Sequence, residues 1–214
     1  MKNWRIWLVG AMIVISGALV YFRLTSLDSV QPYQGTEISG EAPDFRLTDQ
    51  NGSLINLSDF RGKVVVLTFM DSKCKDTCPL TAAQLRQAYR QFDTIEADQV
   101  VFIGVNVNVE ANRITDVYEI TKTWHLNEIL SWHFLTGNPE ELRLTWKEYG
   151  IAVESSSDSG EILHTPGVYL IDPAGQKRWY ISTSFSAEGN AEWILPLGDL
   201  LVRHIREILS EIKP

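Results

Sequence analysis

Cysteine is scarce in this chain: Cys74 and Cys78 are the only two among 214 residues. Small exported domains that rely on disulfides carry several pairs, so these two do not belong to a disulfide framework. A structural bridge closing so short a loop would remove little entropy from the unfolded chain. The scarcity therefore points to redox chemistry or metal binding rather than to covalent stabilisation.

Positive charge is also in short supply. The chain has 19 basic and 27 acidic residues, which gives a formal net charge of −8. Lys2 and Arg5 are the only charged residues among the first 22, so the remainder carries a net charge of −10. Proteins that bind nucleic acids present basic surfaces, and no nucleic-acid partner is expected here.

Charged residues are absent from Ile6–Phe22, a long apolar run near the N-terminus. A helix needs roughly 17–25 apolar residues to span a bilayer, so this run predicts a transmembrane helix or a signal peptide. No small-x-small cleavage site follows it, which favours an uncleaved anchor. No cysteine follows it either, which excludes a lipoprotein anchor.

The charges that flank this run predict its orientation. Lys2 and Arg5 precede it, and the positive-inside rule then exports the rest of the chain. The N-terminus lacks an Arg- and Ser-rich transit peptide, which favours a bacterial inner membrane over a mitochondrial one. We therefore expect a single-pass anchor at residues 1–22, a polar linker at 23–41 and one periplasmic domain at 42–214.

Beyond a β-hairpin predicted at residues 42–57, strands and helices alternate along the chain. The predicted strands are 64–69, 100–107, 131–135, 168–171 and 177–182, the last of them an edge strand. The predicted helices are 79–92, 111–124, 139–150 and 191–212. Their expected packed positions include Leu80, Ala83, Leu85 and Tyr89 in the first helix and Ile114, Val117, Tyr118 and Ile120 in the second. The alternation favours an α/β fold with a mainly parallel sheet.

The cysteine pair lies where the first buried strand gives way to the first helix. This is the end of a strand at which α/β folds place their chemistry. With Cys78 opening the helix and Pro79 in its first turn, the thiols lie near the positive end of the helix dipole, which favours thiolate. A thiolate is both the nucleophile of disulfide exchange and a ligand for soft metals, so both roles remain open.

Two sets of residues resemble known proteins. Residues 42–45 with 57–64 are similar to the start of thioredoxin-like redoxins in general. The segment Cys74–Pro79, followed by His164 ahead of Tyr169-Leu170-Ile171, resembles the Sco/SenC family. Members of that family are membrane-anchored copper chaperones of thioredoxin-like fold that help to assemble the copper centre of cytochrome c oxidase. The resemblance covers about residues 42–185.

The resemblance implies a fold, a cargo and partners. The fold would be a thioredoxin-like mixed sheet flanked by helices, and a copper ion would be bound by Cys74, Cys78 and His164. Two thiolates and an imidazole suit soft Cu(I). The copper-containing subunit of cytochrome c oxidase would receive the ion, and a thiol reductase would keep the cysteines reduced.

Three features depart from the family pattern. Lys75 replaces the usual proline after the first cysteine, and Asn106 and Asn108 occupy the region of a family acidic residue. Pro166 lies where thioredoxin-like reductases have a cis-proline. The alternative is a thiol-disulfide oxidoreductase with Cys74 and Cys78 as catalytic residues, acting on exported or respiratory-complex cysteines. A redox-sensing module would use the same residues, and a peroxidase has no support beyond the shared redoxin start.

The remaining histidines and the single nearby methionine are weaker candidates. Met70 is a possible fourth copper ligand, although a methionine at a strand end more often belongs to the core. His133 fits a hydrogen-bonded core histidine. His125 and His204 fall on predicted helices and are expected to be solvated.

Charged residues also flank the cysteines. Asp71 and Asp76 could tune the thiols, contact a partner or simply face water. Lys73 and Lys75 would stabilise thiolates by their charge, or attract an acidic partner.

Overall fold

The computed structural model describes residues 35–155, 162–182 and 196–212, which belong to one compact unit. In these ranges no helix is both long enough and apolar enough to cross a membrane. The apolar run 6–22, predicted as an anchor, lies outside the described residues, as does most of the predicted linker.

The predicted strands and helices occur in the expected order, and further short elements at 36–37, 94–98, 153–155 and 162–164 were not predicted. The strands are β1 (Thr36–Glu37), β2 (Arg46–Thr48), β3 (Leu54–Asn56), β4 (Val64–Met70), β5 (Val100–Asn106), β6 (Trp132–Leu135), β7 (Val153–Ser155), β8 (Ile162–His164), β9 (Val168–Ile171) and β10 (Lys177–Ile181). The α-helices are α1 (Thr77–Tyr89), α2 (Thr94–Asp98), α3 (Ile114–Thr123), α4 (Pro139–Glu148) and α5 (Leu197–Ile212). Short 3₁₀ turns lie at Leu57–Phe60 and Leu126–Glu128.

The central sheet has six strands in the order β1-β10-β9-β4-β5-β6. Strands β4, β5 and β6 run parallel, whereas β9, β10 and β1 join by antiparallel pairing. The mixed sheet implied by the family resemblance is confirmed, and the mainly parallel sheet expected from alternation is wrong. Strands β9 and β10 are joined by a tight turn, which permits only antiparallel pairing.

The edge of the sheet also differs from the prediction. Strand β10 was expected to be the edge, but β1 pairs outside it, with Thr36 opposite Tyr180. The sheet therefore includes part of the segment 23–41 that the sequence predicts as a linker.

Two apolar cores cover the two faces of the sheet. Every residue of β4 and β5 is buried, as expected for central strands with both faces covered. One core contains side chains of β4 together with α1, α3 and α5. The other contains the alternate side chains of β4 with α4 and the β2–β3 hairpin. The sheet thus holds the end of β4 rigidly, and the cysteine loop begins there.

Two of the four packed positions predicted for α1 are confirmed: Leu85 is buried, and Tyr89 packs against the same core. The helix begins at Thr77, and its buried residues are Cys78, Thr81, Ala82, Leu85 and Ala88. Leu80 is 53% exposed and Ala83 is also exposed. At 100° per residue, Leu80 lies about 200° around the helix from Cys78 and so faces solvent. In α3, Val117 is buried and Ile120 packs against the core as predicted, whereas Ile114 and Tyr118 are exposed.

The three histidines outside the candidate site have different environments. His204 was expected to be solvated, but it is 3% exposed and stacks on Trp179 with ring centroids 4.0 Å apart. The packing of α5 against the sheet buries it. His125 is exposed as predicted, although it follows α3 in a left-handed conformation rather than lying in the helix. His133 is half-buried and its Nδ1 lies 3.1 Å from Asp49 Oδ2, which confirms a hydrogen-bonded histidine.

Candidate metal centre

The two cysteines lie in the loop and first turn between β4 and α1. Strand β4 ends at Met70, and α1 begins at Thr77. Cys74 is half-buried in the loop, whereas Cys78 is buried as the second residue of the helix. Neither thiol forms a disulfide.

Hydrogen bonds make the two thiols chemically unequal. The backbone N–H of Cys78 donates to Cys74 Sγ at 3.4 Å. The Cys78 thiol also donates a hydrogen bond that lowers the pKa of Cys74 to about 5, although burial opposes the shift. The same hydrogen bond, together with burial, raises the pKa of Cys78. Cys74 is therefore a thiolate at neutral pH and Cys78 a thiol.

His164 completes a cluster of three donor side chains. Its Nε2 lies 4.0 Å from Cys78 Sγ, although the two residues are far apart in the sequence. Its Nδ1 lies 3.1 Å from the carbonyl oxygen of Thr165, which can only accept a hydrogen bond. The proton of the neutral ring is thus on Nδ1, and the lone pair of Nε2 faces the cysteines.

The segment that carries His164 is attached at several points. Strand β8 pairs with β7, with His164 opposite Val153. The Thr165 N–H donates to Ala152 O at 3.0 Å, and the hydroxyl of Tyr180 donates to Pro166 O at 2.7 Å. No cis peptide bond occurs in the described ranges, so Pro166 is trans. Pro166 thus occupies the position compared with the cis-proline of thioredoxin-like reductases without sharing its cis peptide bond.

Gly167 allows this segment to lie against Tyr180. A Cβ at position 167 would be 2.4 Å from ring atoms of Tyr180, far inside van der Waals contact. We expect Gly167→Ala to lower the free energy of unfolding by about 1–3 kcal/mol, as overpacking does, measured by urea denaturation. In a Tyr180→Ala background the same substitution should cost much less; an equal cost in both backgrounds would exclude the clash.

The donor atoms are suitable for a soft metal ion, but they are not yet closed around one. Bonds from a metal to sulfur and imidazole nitrogen are about 2.3 and 2.0 Å, so one ion can bridge atoms that are about 4 Å apart. The Cys78–His164 separation meets this requirement. Across the described part of the chain, no three Cys, His, Asp or Glu side chains already surround a common point. Binding therefore requires the three donor side chains to close around the ion.

The other residues singled out near the cysteines are divided between core and surface. Met70 is buried in the same core as Cys78, as favoured from the sequence. Asp76 is exposed. The Lys73 ammonium lies 3.6 Å from Asp116, so its charge is partly neutralised by that carboxylate. Asp71 is buried and does not face water.

The unequal thiols predict a pH-dependent labelling pattern. Iodoacetamide should alkylate Cys74 at a rate that stays constant from neutral pH down to about 6 and falls through about pH 5, because protonation removes the nucleophile. Cys78 should stay unlabelled in the folded protein. Mass spectrometry of each site over this pH range measures both rates. A midpoint near 8.5 for Cys74, the value of an ordinary thiol, would contradict the hydrogen-bonded thiolate.

Comparison with known proteins gives consistent matches. The sequence profile of the SCO1/SenC family matches residues 34–195. The mitochondrial SCO2 homologue of Bos taurus is 30% identical over 152 residues, covering 68% of this chain and 55% of that protein. Among solved structures, apo Sco1 of Thermus thermophilus is 26% identical, with a TM-score of 0.64 over 84% of this chain and 98% of that one.

A structure described as copper-bound shares the fold. ScoI of Bradyrhizobium japonicum with copper bound is 19% identical, with a TM-score of 0.64 over 79% of this chain and 99% of that one. The profile match spans most of the chain, and it includes both cysteines and the histidine that the structure brings together. The chain belongs to the SCO1/SenC family.

Proposed function

We propose that this protein binds a copper ion through Cys74, Cys78 and His164 and hands it to another protein. The observation that carries the proposal is the approach of His164 Nε2 to 4.0 Å from Cys78 Sγ, beside a second sulfur that is already a thiolate. Thiolate and imidazole are ligands that soft Cu(I) prefers. The copper-bound relative from Bradyrhizobium japonicum supports copper as the cargo.

The different burial of the two cysteines supports a role in transfer rather than storage. Cys74 is half-buried, so a thiolate of a partner can approach a copper ion from its side. Cys78 is buried and would hold the ion while the partner's ligand replaces Cys74 or His164. Each exchange breaks one bond to copper as another forms, and the oxidation state of the ion does not change.

The partners and the location follow from the family and the N-terminal sequence. The recipient we propose is the copper-containing subunit of cytochrome c oxidase, and a thiol reductase would return oxidised cysteines to the state that binds copper. The apolar run 6–22 would anchor the protein in the bacterial inner membrane, with the domain on the periplasmic side.

The test is a Cu(I) titration of the reduced protein in competition with a chromogenic chelator. We expect one tightly bound Cu(I) per chain. A protein that leaves all Cu(I) with a chelator of nanomolar affinity would contradict the proposal. Binding in the oxidised protein equal to that in the reduced protein would contradict it as well, because a Cys74–Cys78 disulfide removes both thiolate ligands.

A thiol-disulfide oxidoreductase is the second candidate, and the unequal thiols favour it. A half-buried thiolate of pKa about 5 next to a buried thiol fits an attacking and a resolving cysteine. Cys74 would attack a partner disulfide and form a mixed disulfide. Cys78 would then displace the partner's sulfur, leaving a Cys74–Cys78 disulfide and a reduced partner. Cys78→Ser should trap the mixed disulfide, whereas a chaperone without this activity would trap none.

A further inference from the structure

Asp71 is a buried carboxylate directly ahead of the cysteine loop. It is 4% exposed, and a carboxylate is buried only where hydrogen bonds or a cation compensate for lost hydration. The ammonium group of Lys73 pairs with Asp116 instead. Asp71 Oδ1 accepts two hydrogen bonds, from Asn108 Nδ2 and from the Lys73 N–H, both at 2.8 Å.

The backbone of Asp71 also contacts the first cysteine. Its carbonyl oxygen accepts a hydrogen bond from the Cys74 N–H at 3.1 Å. The residue therefore holds the backbone of Lys73 with its side chain and that of Cys74 with its carbonyl group. Between them, the Ser72 N–H donates to Asn106 Oδ1 at 3.3 Å. All three N–H groups from residue 72 to 74 are bound in this way.

Asn108 connects this loop to the end of the neighbouring strand. Its Oδ1 accepts from the N–H groups of Glu110 and Ala111, at 3.0 and 3.1 Å. Asn106 Nδ2 donates to the carbonyl oxygen of Ala111 at 2.9 Å, and the Ser72 hydroxyl donates to the same oxygen at 2.9 Å. Hydrogen bonds thus connect the cysteine loop to the last residue of the core strand β5 and to the loop that follows it, residues 106–111.

The charge of Asp71 is not what the cysteines require. The hydrogen bond with Cys74, burial and the charge of Cys74 are the main causes that raise the pKa of Cys78. A hydrogen bond from the Asp71 backbone lowers this pKa, whereas the charge of the Asp71 side chain raises it and so opposes a second thiolate. If Asp71 favours metal binding, it does so through the positions it fixes. The neutral amide of asparagine can accept the same two hydrogen bonds, which separates geometry from charge in an experiment.

We propose that Asp71 and Asn108 are positioning residues whose hydrogen bond fixes the backbone of Cys74 beside Cys78, so that the three donor side chains can close around a metal ion. This inference rests on the proposed copper binding. Partners that orient metal ligands typically contribute about 10–100-fold to metal affinity. Such residues usually bind the ligating side chain itself, whereas Asp71 binds the backbone N–H groups of Lys73 and Cys74.

The test compares three variants of the full chain in Cu(I) competition titrations. Asp71→Ala is expected to weaken Cu(I) binding at least tenfold, whereas Asp71→Asn should bind within about threefold of the unmodified protein. Asp49→Ala is the matched control, because Asp49 is 2% exposed and also accepts turn N–H groups, from Asn51 and Ser53. It should lower the melting temperature without changing Cu(I) affinity.

A second pair of variants covers the case in which Asp71→Ala does not fold. Asn108→Asp places two carboxylates in contact and should weaken Cu(I) binding. The double variant Asp71→Asn with Asn108→Asp exchanges the two side chains, so that an amide again donates to a carboxylate. It should recover most of the Cu(I) affinity. Equal weakening by Asp49→Ala and Asp71→Ala, or no recovery in the double variant, would overturn the proposal.

Amide hydrogen exchange provides a measurement that does not depend on copper. In the apo protein, Asp71→Ala should speed exchange at the Lys73 and Cys74 amides, and Asp71→Asn should not. Failure of the unmodified protein to bind Cu(I) would refute the proposed function without affecting this result. Unchanged exchange at both amides in Asp71→Ala would overturn the positioning role even if copper binds tightly.

Discussion

Replacing either cysteine by serine is expected to abolish tight Cu(I) binding. Four-ligand zinc sites contribute roughly 10–16 kcal/mol in total, which is about 2.5–4 kcal/mol per ligand, so each sulfur should account for about 10²–10³-fold in affinity. A serine hydroxyl is a hard, protonated group and does not replace a thiolate for Cu(I). The measurement is the same chelator competition, carried out on Cys74→Ser and Cys78→Ser.

The control for this prediction is Thr77, whose hydroxyl lies 3.8 Å from Cys74 Sγ. Thr77→Ala changes the surroundings of the sulfur but removes no proposed ligand, and its Cu(I) affinity should stay within a few-fold. If Cys78→Ser kept the full affinity, the buried sulfur would not be a ligand and the three-donor site would be wrong.

His164→Ala should weaken Cu(I) binding by about 10–100-fold, less than loss of a sulfur. A neutral imidazole contributes less to Cu(I) than a charged thiolate, and two sulfurs remain to hold the ion. The loss should be larger for Cu(II), which favours nitrogen ligands. Titration with both ions, before and after ascorbate reduction, measures the two effects in one sample.

His125 is the matched control for His164. It is an exposed histidine outside the cluster, so His125→Ala should bind both ions like the unmodified protein. Two results would remove the histidine from the site: Cu(I) and Cu(II) affinities unchanged by His164→Ala, or equal losses in the two histidine variants.

Much of the fold was accessible from sequence because its signals are local. The buried runs of β4 and β5, the Asn-Gly hairpin and the Asn138 cap with Pro139 each occupy a few consecutive residues. The predictions were wrong where the structure depends on contacts between residues far apart in the sequence. The β1 edge depends on pairing with β10, and the burial of His204 depends on Trp179 packing against α5.

The sequence named the candidate metal ligands but not the contacts that hold their loop in place. Cys74, Cys78 and His164 were recognised from motif spacing and family resemblance, and the structure brings His164 to Cys78. The Asp71–Asn108 contact joins the ends of two strands, β4 and β5, that are separated in the sequence by the helices α1 and α2. The sequence indicated only that both residues follow the carboxyl ends of predicted strands. They become neighbours because β4 pairs with β5.

The contacts behind His164 left no local signal in the sequence. Tyr180 donates to Pro166 O and packs over Gly167 from the neighbouring strand β10. A tyrosine in a strand is ordinary, and its role depends on the antiparallel register of β9 and β10. Such residues become visible only once the strands are placed.

X-ray absorption spectroscopy of the protein loaded with one Cu(I) tests the central claim most directly, because it counts the ligand atoms of the ion. The account predicts two sulfurs at about 2.3 Å and one imidazole nitrogen at about 2.0 Å, with the imidazole signal lost in His164→Ala. A shell of oxygen and nitrogen alone, or an imidazole signal that persists in His164→Ala, would contradict copper binding by Cys74, Cys78 and His164.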